Sequence, residues 1–416
     1  MKLNEQEEAM RRGEDGPAVA QAIEQQIKVG EFFGAERFVP VTNVHMMGDI
    51  EVMGDSGLRF LEHNCELAAS CRGRVSTNAR CMDFSYAARL GQSSEAVAKE
   101  RAIIAALRRM KIATVDTCIN YQTLYQPHFG EHVAWGDTGT VIYANSVFGA
   151  RSNFESGPAA FAAALTGRTP AYGFHLDEHR RGGLHVQVKA RLEDLADWGA
   201  VGKIIGAPVQ DYYAVPVLEG IETTPTADAL KHLGCSLASY GSIAMYHLVG
   251  VTPEAPSAAA AFGARQPKRM MDVTDEAIEG VYRAYDVKDG RADLVVFSGP
   301  QLSLFEIQTL AELFAGRRVH SDTQVFLTTN HAIASDARRL GYLDVLETSG
   351  VQIMEGVCFY ILEDLSGIRM RNNWTNLVSN SAKIVNTITA HRFNTILRRT
   401  RDCVEAAVTG RVVHVH

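Results

Sequence analysis

The chain has 416 residues, 46% of them hydrophobic and 21% charged, with a formal net charge of -7. That length exceeds what one core usually organises, so one large or two fused α/β units are expected, and the mild acidity argues against a nucleic-acid-binding surface, which carries a basic stripe. No apolar stretch reaches the roughly 18 to 20 residues that span a bilayer, and the opening MKLNEQEEAMRRGEDG has no apolar leader core, so a cytosolic protein with neither a membrane nor a nucleic-acid partner is expected.

In chain order, residues 4 to 33 read as helical, with apolar residues at helical spacing across AVAQAIEQQIKVGEFFG. RFVPVTNVHM then reads as a strand entering a loop, DSGLRFLEHNCELAA as a helix, and RVSTNARCMDF as a strand and polar loop. SEAVAKERAIIAALRRM is an amphipathic helix capped by Ser93 or Ser94, and KIATVDTC a buried strand. Residues 195 to 265 look helical and end in the linker PEAPSAAAAFGARQPKR. The alternation restarts with ADLVVFSG, LSLFEIQTLAELFAG, TQVFLTTN, HAIASDARRLG and VQIMEGVC, before NWTNLVSNSAKIVNTITAH enters a final helix. Strand, loop and helix in alternation mark an α/β fold of layered, mainly parallel sheets with flanking helices. The expected division is an N-terminal α/β catalytic region with a helical middle, 1–264, and a second α/β unit, 265–416.

Seven cysteines at irregular spacing do not form a disulfide framework in a cytosolic chain. Cys65, Cys71, Cys235 and Cys403 read as helix packing residues, since free cysteine behaves as a small hydrophobe. Cys118 and Cys358 differ. Each follows an apolar strand-like run at a strand edge, where α/β proteins place their chemistry, and Cys358 has Glu355 three residues before it. If the fold brings these edges together, the two thiols form a metal or cluster site; otherwise they are core residues.

The segment from Val115 to Ala160 reads as an active-site run. Glu131 and His132 are either an acid–base pair or a hydrogen-bonded pair that orients the cysteine loop. In GFHLDEH, His175, Asp177 and Glu178 are further acid–base candidates or part of a solvated, salt-bridged face. Ser146, Arg151, Asn153 and Glu155 lie in and just before the GARSNFESG turn, where small residues let backbone N–H groups face an anion. Arg151 is either a carboxylate clamp there or the surface partner of Glu155. Lys383, at a helix start in SNSAK, reaches a substrate or is solvated, and STNAR at 76 to 80 caps a helix or holds a polar ligand.

At these residues the chain resembles the large, catalytic subunit of the aconitase X family, part of the aconitase superfamily. The resemblance runs nearly the whole length and is carried by GDSGLRFLE, STNARCMDF, the long block from FGEHVAWGDTGTVIYANSVFGARSNFESG to GFHLDE, and YGSIAMYHLVGVTPEAP. It implies a multi-unit aconitase-like core and a hydro-lyase that removes water from a small hydroxy acid, with cis-3-hydroxy-L-proline ahead of mevalonate 5-phosphate. A divergent homologue with isomerase or binding function is the alternative. It also implies an iron–sulfur centre, or mononuclear iron, held by Cys118 and Cys358. The family's third cysteine falls in the block that reads here Phe297-Ser298-Gly299-Pro300-Gln301, so position 299 offers no thiol. A smaller centre such as a two-iron cluster is then expected, with Cys81 as the leading extra ligand and Glu355 another. Substrate-contacting loops map onto His45, Gly48 and Asp49 and onto Asn78 and Ala79. Some members carry a small swivelling domain on the same chain and others as a separate subunit; this chain reaches RVVHVH soon after its last helix, so a small subunit supplied in trans is expected to cover the cleft lined by residues 118 to 155.

Overall fold

Three parallel sheets, each backed by helices, are laid out along the chain in order. The computed structural model describes residues 1–263, 266–286 and 289–412. In the first sheet, Asn43–Met46 lies between Arg74–Thr77 and Ala134–Trp135. In the second, the order is His247–Leu248, Pro216–Glu219, Leu184–Val188 and Arg269–Val273. In the third, Gln352–Glu355, Gln324–Thr329, Leu294–Phe297, Asn376–Ser379 and Asn394–Leu397 stand side by side. A separate antiparallel pair joins Phe38–Pro40 to Arg168–Pro170. Parallel strands buried on both faces are continuous apolar runs, as in LVVF at 294–297, all four residues of which are buried.

Local signals place most helices. Two helices, Glu5–Arg11 and Pro17–Phe32, fill the opening stretch, the second starting on a proline whose missing N–H costs nothing at that position. Ser93 caps Ser94–Arg109 by accepting from the Ala96 N–H. No helix among the described residues is long and apolar enough to cross a membrane.

Three expectations need correction. The middle of the chain is not purely helical, because Pro216–Glu219 and His247–Leu248 are core strands; at four and two residues they are too short to give a two-residue period against the glycine- and alanine-rich helices around them. KIATVDTC is not a strand. Only Ala113 bridges to Ser76, and Asp116 then adopts a left-handed φ of 56° with its carboxylate turned to Thr77 and Arg80. The expected boundary at 264/265 lies outside the described residues, but Arg269–Val273 pairs with Leu184–Val188 in the second sheet, and the third sheet opens only at Leu294.

A tight helix pair of the second layer carries the ion pair that ties that layer to the third. Helices Leu195–Val209 and Ala227–Gly241 approach so closely that a Cβ at Gly202 would stand 2.5 Å from the Ser236 Cβ, so only glycine fits there. From the second of these helices, buried Lys231 and His232 reach Glu306, in helix Leu304–Phe314 beneath the third sheet. Burial alone would raise the Glu306 carboxyl, but Lys231 and His232 pull it down to about 2. This ion pair's contribution is therefore present above the ordinary carboxylate range and lost as pH falls through about 2. Lys231→Met strands a buried carboxylate and is expected to destabilise the protein by about 3 to 5 kcal/mol in urea unfolding at pH 7. A loss under about 1 kcal/mol would show the pair to be dispensable.

Candidate active site

Strand carboxyl ends carry the chemistry in parallel sheets, and here the ends of the first and third sheets face one another. From the first come His45, Asn78 and the loop Asp116–Cys118; from the third come Ser298–Gln301, Gly356–Cys358 and Ser381–Lys383. The two cysteine loops meet. Backbone pairing of Arg80 with Val357 ties them, the Arg80 N–H donating to Gly356 O at 2.8 Å and the Cys358 N–H to Arg80 O at 3.3 Å. The buried Arg80 guanidinium then reaches Asp116 at 2.7 Å, Glu100 at 2.8 Å and the Gly48 carbonyl at 2.8 Å. Asn330 donates to the Thr117 hydroxyl at 3.1 Å from the third sheet's side.

Both thiols are buried side by side and act on each other's ionisation. Their interaction lowers the Cys118 pKa and raises that of Cys358 well above the ordinary thiol value, so Cys118 is the more readily ionised of the two. Beside them lies Lys383, at the start of helix Ala382–Thr387, whose Nζ is 3.9 Å from Asp137 and 5.5 Å from the Tyr360 ring centre. Burial alone would lower the lysine, but Asp137, Tyr360 and the thiols of Cys235 and Cys358 hold its pKa well above 10.5. Asp137 is fixed as the N-cap of Thr138–Tyr143, accepting from the N–H groups of Gly139 and Thr140. Tyr121, three residues after Cys118, stacks on Tyr143 with ring centres 4.0 Å apart. Its hydroxyl, and both amide atoms of Asn120, are buried without a hydrogen-bond partner.

The loops expected to contact substrate are on this side too. His45 is fully buried between Ser76 (2.9 Å) and Asn78 (3.4 Å), and burial pushes its pKa down to about 4, leaving it neutral. Asp49 caps helix Ile50–Glu66 through the Val52 N–H, while its second oxygen is buried and unpartnered. Burial, reinforced by Glu100, raises this carboxyl to about 7. Gly48 contributes its carbonyl to Arg80, and Ala79 is a buried core residue.

Another group of expected residues forms a separate polar network. Glu131 accepts from the Thr42 and Tyr125 hydroxyls and from the His128 N–H at 2.7 Å. Burial would raise it, but these bonds hold it below the usual range. His132 shares an Nδ1 to Nδ1 hydrogen bond of 2.8 Å with His175, and burial drives its pKa to about 4. Arg151 pairs with Asp177 rather than Glu155, and donates to the His175 carbonyl at 2.9 Å. Asn153 is spent on Phe174, Tyr172 and Tyr212, Glu155 on Thr169, and Ser146 on the Tyr246 N–H. Among the described residues, no hydrogen bond or ion pair links this network to the cysteine pair. Asp137 was legible only as a DTGT helix-start signal, and Arg80 only as the end of STNAR; nothing in the sequence marks Tyr121, Tyr360 or Gln301.

Two neighbouring thiols, one of them disposed to ionise, with unsatisfied polar groups close in sequence, fit an iron centre ligated by two cysteines with its other positions open. They do not fit a three-cysteine cluster. Cys81 is surrounded by Asp49 and Glu100, which with burial raise its pKa; Glu355 is taken by His331 and Arg338; and no three His, Cys, Asp or Glu converge on a metal site among the described residues. Cys235, expected only to pack, neighbours Lys383, Asp137 and Cys118, whereas Cys403 donates to the Arg398 carbonyl and is a core residue.

A parallel α/β protein of three layers with a thiol pair between two sheets is what the fold and site define. Family models for the first, second and third domains of aconitase X match residues 1–178, 182–283 and 292–409. The chain belongs to the aconitase X family. It is 35% identical over 369 residues to the phosphomevalonate dehydratase large subunit of Methanothermobacter thermautotrophicus, covering 87% of this chain and 89% of that protein. With the cis-3-hydroxy-L-proline dehydratase of Pseudomonas aeruginosa it shares 31% identity, covering 99% of this chain and 70% of that one. A crystal structure of Thermococcus kodakaraensis aconitase X in its holo-form superposes with a TM-score of 0.88 at 28% identity, covering 98% of this chain and 100% of that one.

Position 299 makes a sharp test of the missing third thiol. Gly299 has a φ of 61°, and a Cβ there would stand 2.5 Å from Ile384 Cγ1. Gly299→Cys is expected to cost about 1 to 3 kcal/mol in unfolding experiments and to leave the iron content unchanged. A rise in bound iron per chain would contradict this geometry.

Proposed function

We propose that the chain is a hydro-lyase that removes water from a small hydroxylated carboxylate, with cis-3-hydroxy-L-proline ahead of mevalonate 5-phosphate. The observation that carries the reading is the buried Cys118–Cys358 pair with the Lys383 ammonium beside it. Removing water β to a carboxylate requires a base for the α-proton and assistance for a hydroxyl that departs poorly from carbon. A two-iron two-sulfide cluster or a mononuclear iron held by Cys118 and Cys358 would supply a Lewis acid for that hydroxyl.

The remaining work falls to the chain's own groups. Lys383 holds the substrate carboxylate, its charge kept on by Asp137. Tyr121 and Asn120 offer hydrogen bonds that no protein group takes. Asp49, raised to about 7 with a free oxygen, has the pKa a general base needs near neutrality. Glu131 and His132 take the orienting role, fixing the stretch that leads into the first sheet. Arg80 is held tightly by Glu100 and Asp116 and Arg151 by Asp177, whereas Lys383 stands 3.9 Å from Asp137, a looser pairing that can admit the ligand's charge. One ammonium matches one carboxylate, and a phosphate dianion calls for further donors. This favours the proline derivative.

The relatives named large subunits support a small partner subunit as well. The segment RVVHVH, on which that expectation also drew, lies largely outside the described residues.

Anaerobically purified protein with its small subunit should dehydrate cis-3-hydroxy-L-proline with a kcat/KM above that for mevalonate 5-phosphate; the reverse order overturns the substrate assignment. Cys118→Ser and Cys358→Ser should each lose iron and activity together while Cys403→Ser keeps both, and full iron retention in the double variant would refute the thiol site. With Asp49 as base, kcat should rise with pH through about 7. In Asp49→Asn that limb should vanish with a loss of roughly 100- to 10,000-fold in rate, and an unchanged profile removes Asp49 from the mechanism.

A further inference from the structure

Gln301 stands at the centre of the cysteine site, in the turn where a third thiolate is missing. It is completely buried, and every polar atom it owns is used on that site's framework. Its side-chain Oε1 accepts from the Cys118 N–H at 3.2 Å, and Nε2 donates to the Asp116 carbonyl at 3.2 Å and the Val357 carbonyl at 3.1 Å. Its backbone N–H donates to the Cys118 sulfur at 3.2 Å, and its carbonyl accepts from Lys231 at 3.3 Å. The first three partners are loop backbone groups with no strand ladder to satisfy them, and they belong to both cysteine loops.

We propose that Gln301 is the positioning residue of the cysteine pair. One planar amide locks the Asp116–Cys118 loop to the Val357–Cys358 loop, which fixes the spacing of the two sulfurs. The backbone N–H set by the same residue draws electron density from the Cys118 sulfur, the contact through which a protein tunes a thiolate-bound metal. An apolar side chain of equal length fills the space but leaves the Cys118 N–H and two carbonyls unpaired, and a carboxylate cannot donate to those carbonyls.

The inference rests on the reading that Cys118 and Cys358 hold a metal, and cobalt(II) separates the two claims. Full-length protein is treated with chelator under anaerobic conditions and titrated with cobalt(II), the thiolate-to-metal charge-transfer band being followed with the unfolding midpoint. A wild-type protein without that band, or a Cys118→Ser variant that retains it, defeats the metal reading itself and the inference with it. With the band present in wild type and lost in Cys118→Ser, Gln301→Met and Gln301→Glu are expected to bind cobalt roughly 10- to 100-fold more weakly with a shifted band, alongside a lower unfolding midpoint because buried backbone groups lose their partners. Wild-type affinity and spectrum in these variants would overturn the proposal, and so would a lowered midpoint with an unchanged spectrum, which is what a purely structural glutamine produces. Should both variants fail to fold, wild-type protein labelled with 15N-glutamine decides the matter: a contact-shifted glutamine backbone amide on cobalt binding supports the N–H to sulfur link, and its absence overturns it.

Discussion

The proposed active site depends on two loops from different sheets being held at one point. Asp116–Cys118 leaves the first layer, Gly356–Cys358 leaves the third, and each would be a free loop on its own. Arg80 binds them from one side through backbone pairing and a buried guanidinium, and Gln301 does so through its amide. Arg80 is an expensive device. Burying a guanidinium is tolerable only because Glu100 and Asp116 both contact it, and removing either carboxylate would leave charge stranded in a low-dielectric setting. The left-handed Asp116 is the visible strain of that arrangement, since its carboxylate turns back to Arg80 and Thr77 where a strand would have continued.

The same meeting point organises the electrostatics. Two neighbouring thiols resist ionising together, and their interaction makes Cys118 the more acidic of the pair. Lys383 is kept protonated in a buried site by Asp137, and Asp137 is itself held by the first turn of a helix, where positive backbone N–H groups favour a carboxylate. A cation, a pair of thiols and the unsatisfied groups of Asn120 and Tyr121 thus lie between two sheet ends whose strands are fixed by apolar cores. Such a site is organised before any ligand enters it.

Much of the fold was legible because strand and helix periods recur regularly and helix starts carry their caps, as Ser93 does. What failed was short or non-local. Pro216–Glu219 and His247–Leu248 are too brief to show a period, and the third layer starts at Leu294, later than composition suggests, because Arg269–Val273 finds its partner some eighty residues upstream. At the site, Cys118, Cys358, Lys383, His45 and Asp49 were identifiable from residue type and resemblance. Arg151 and Asn153 stood out equally in sequence, yet they satisfy Asp177, Phe174 and Tyr172 in a separate network. Cys81 shared a motif with Arg80, but its burial beside Asp49 and Glu100 followed only from how that loop turns. Gln301 gave no signal, since its importance lies wholly in three backbone atoms that the fold delivers to it.

The central claim is that Cys118 and Cys358 together ligate iron between the first and third layers. X-ray absorption fine structure at the iron edge of anaerobically purified protein tests it most directly. The account predicts a sulfur shell at about 2.3 Å that disappears in the Cys118→Ser, Cys358→Ser double variant. An iron environment of oxygen and nitrogen alone in the wild-type protein, or a sulfur shell that survives in the double variant, would contradict it.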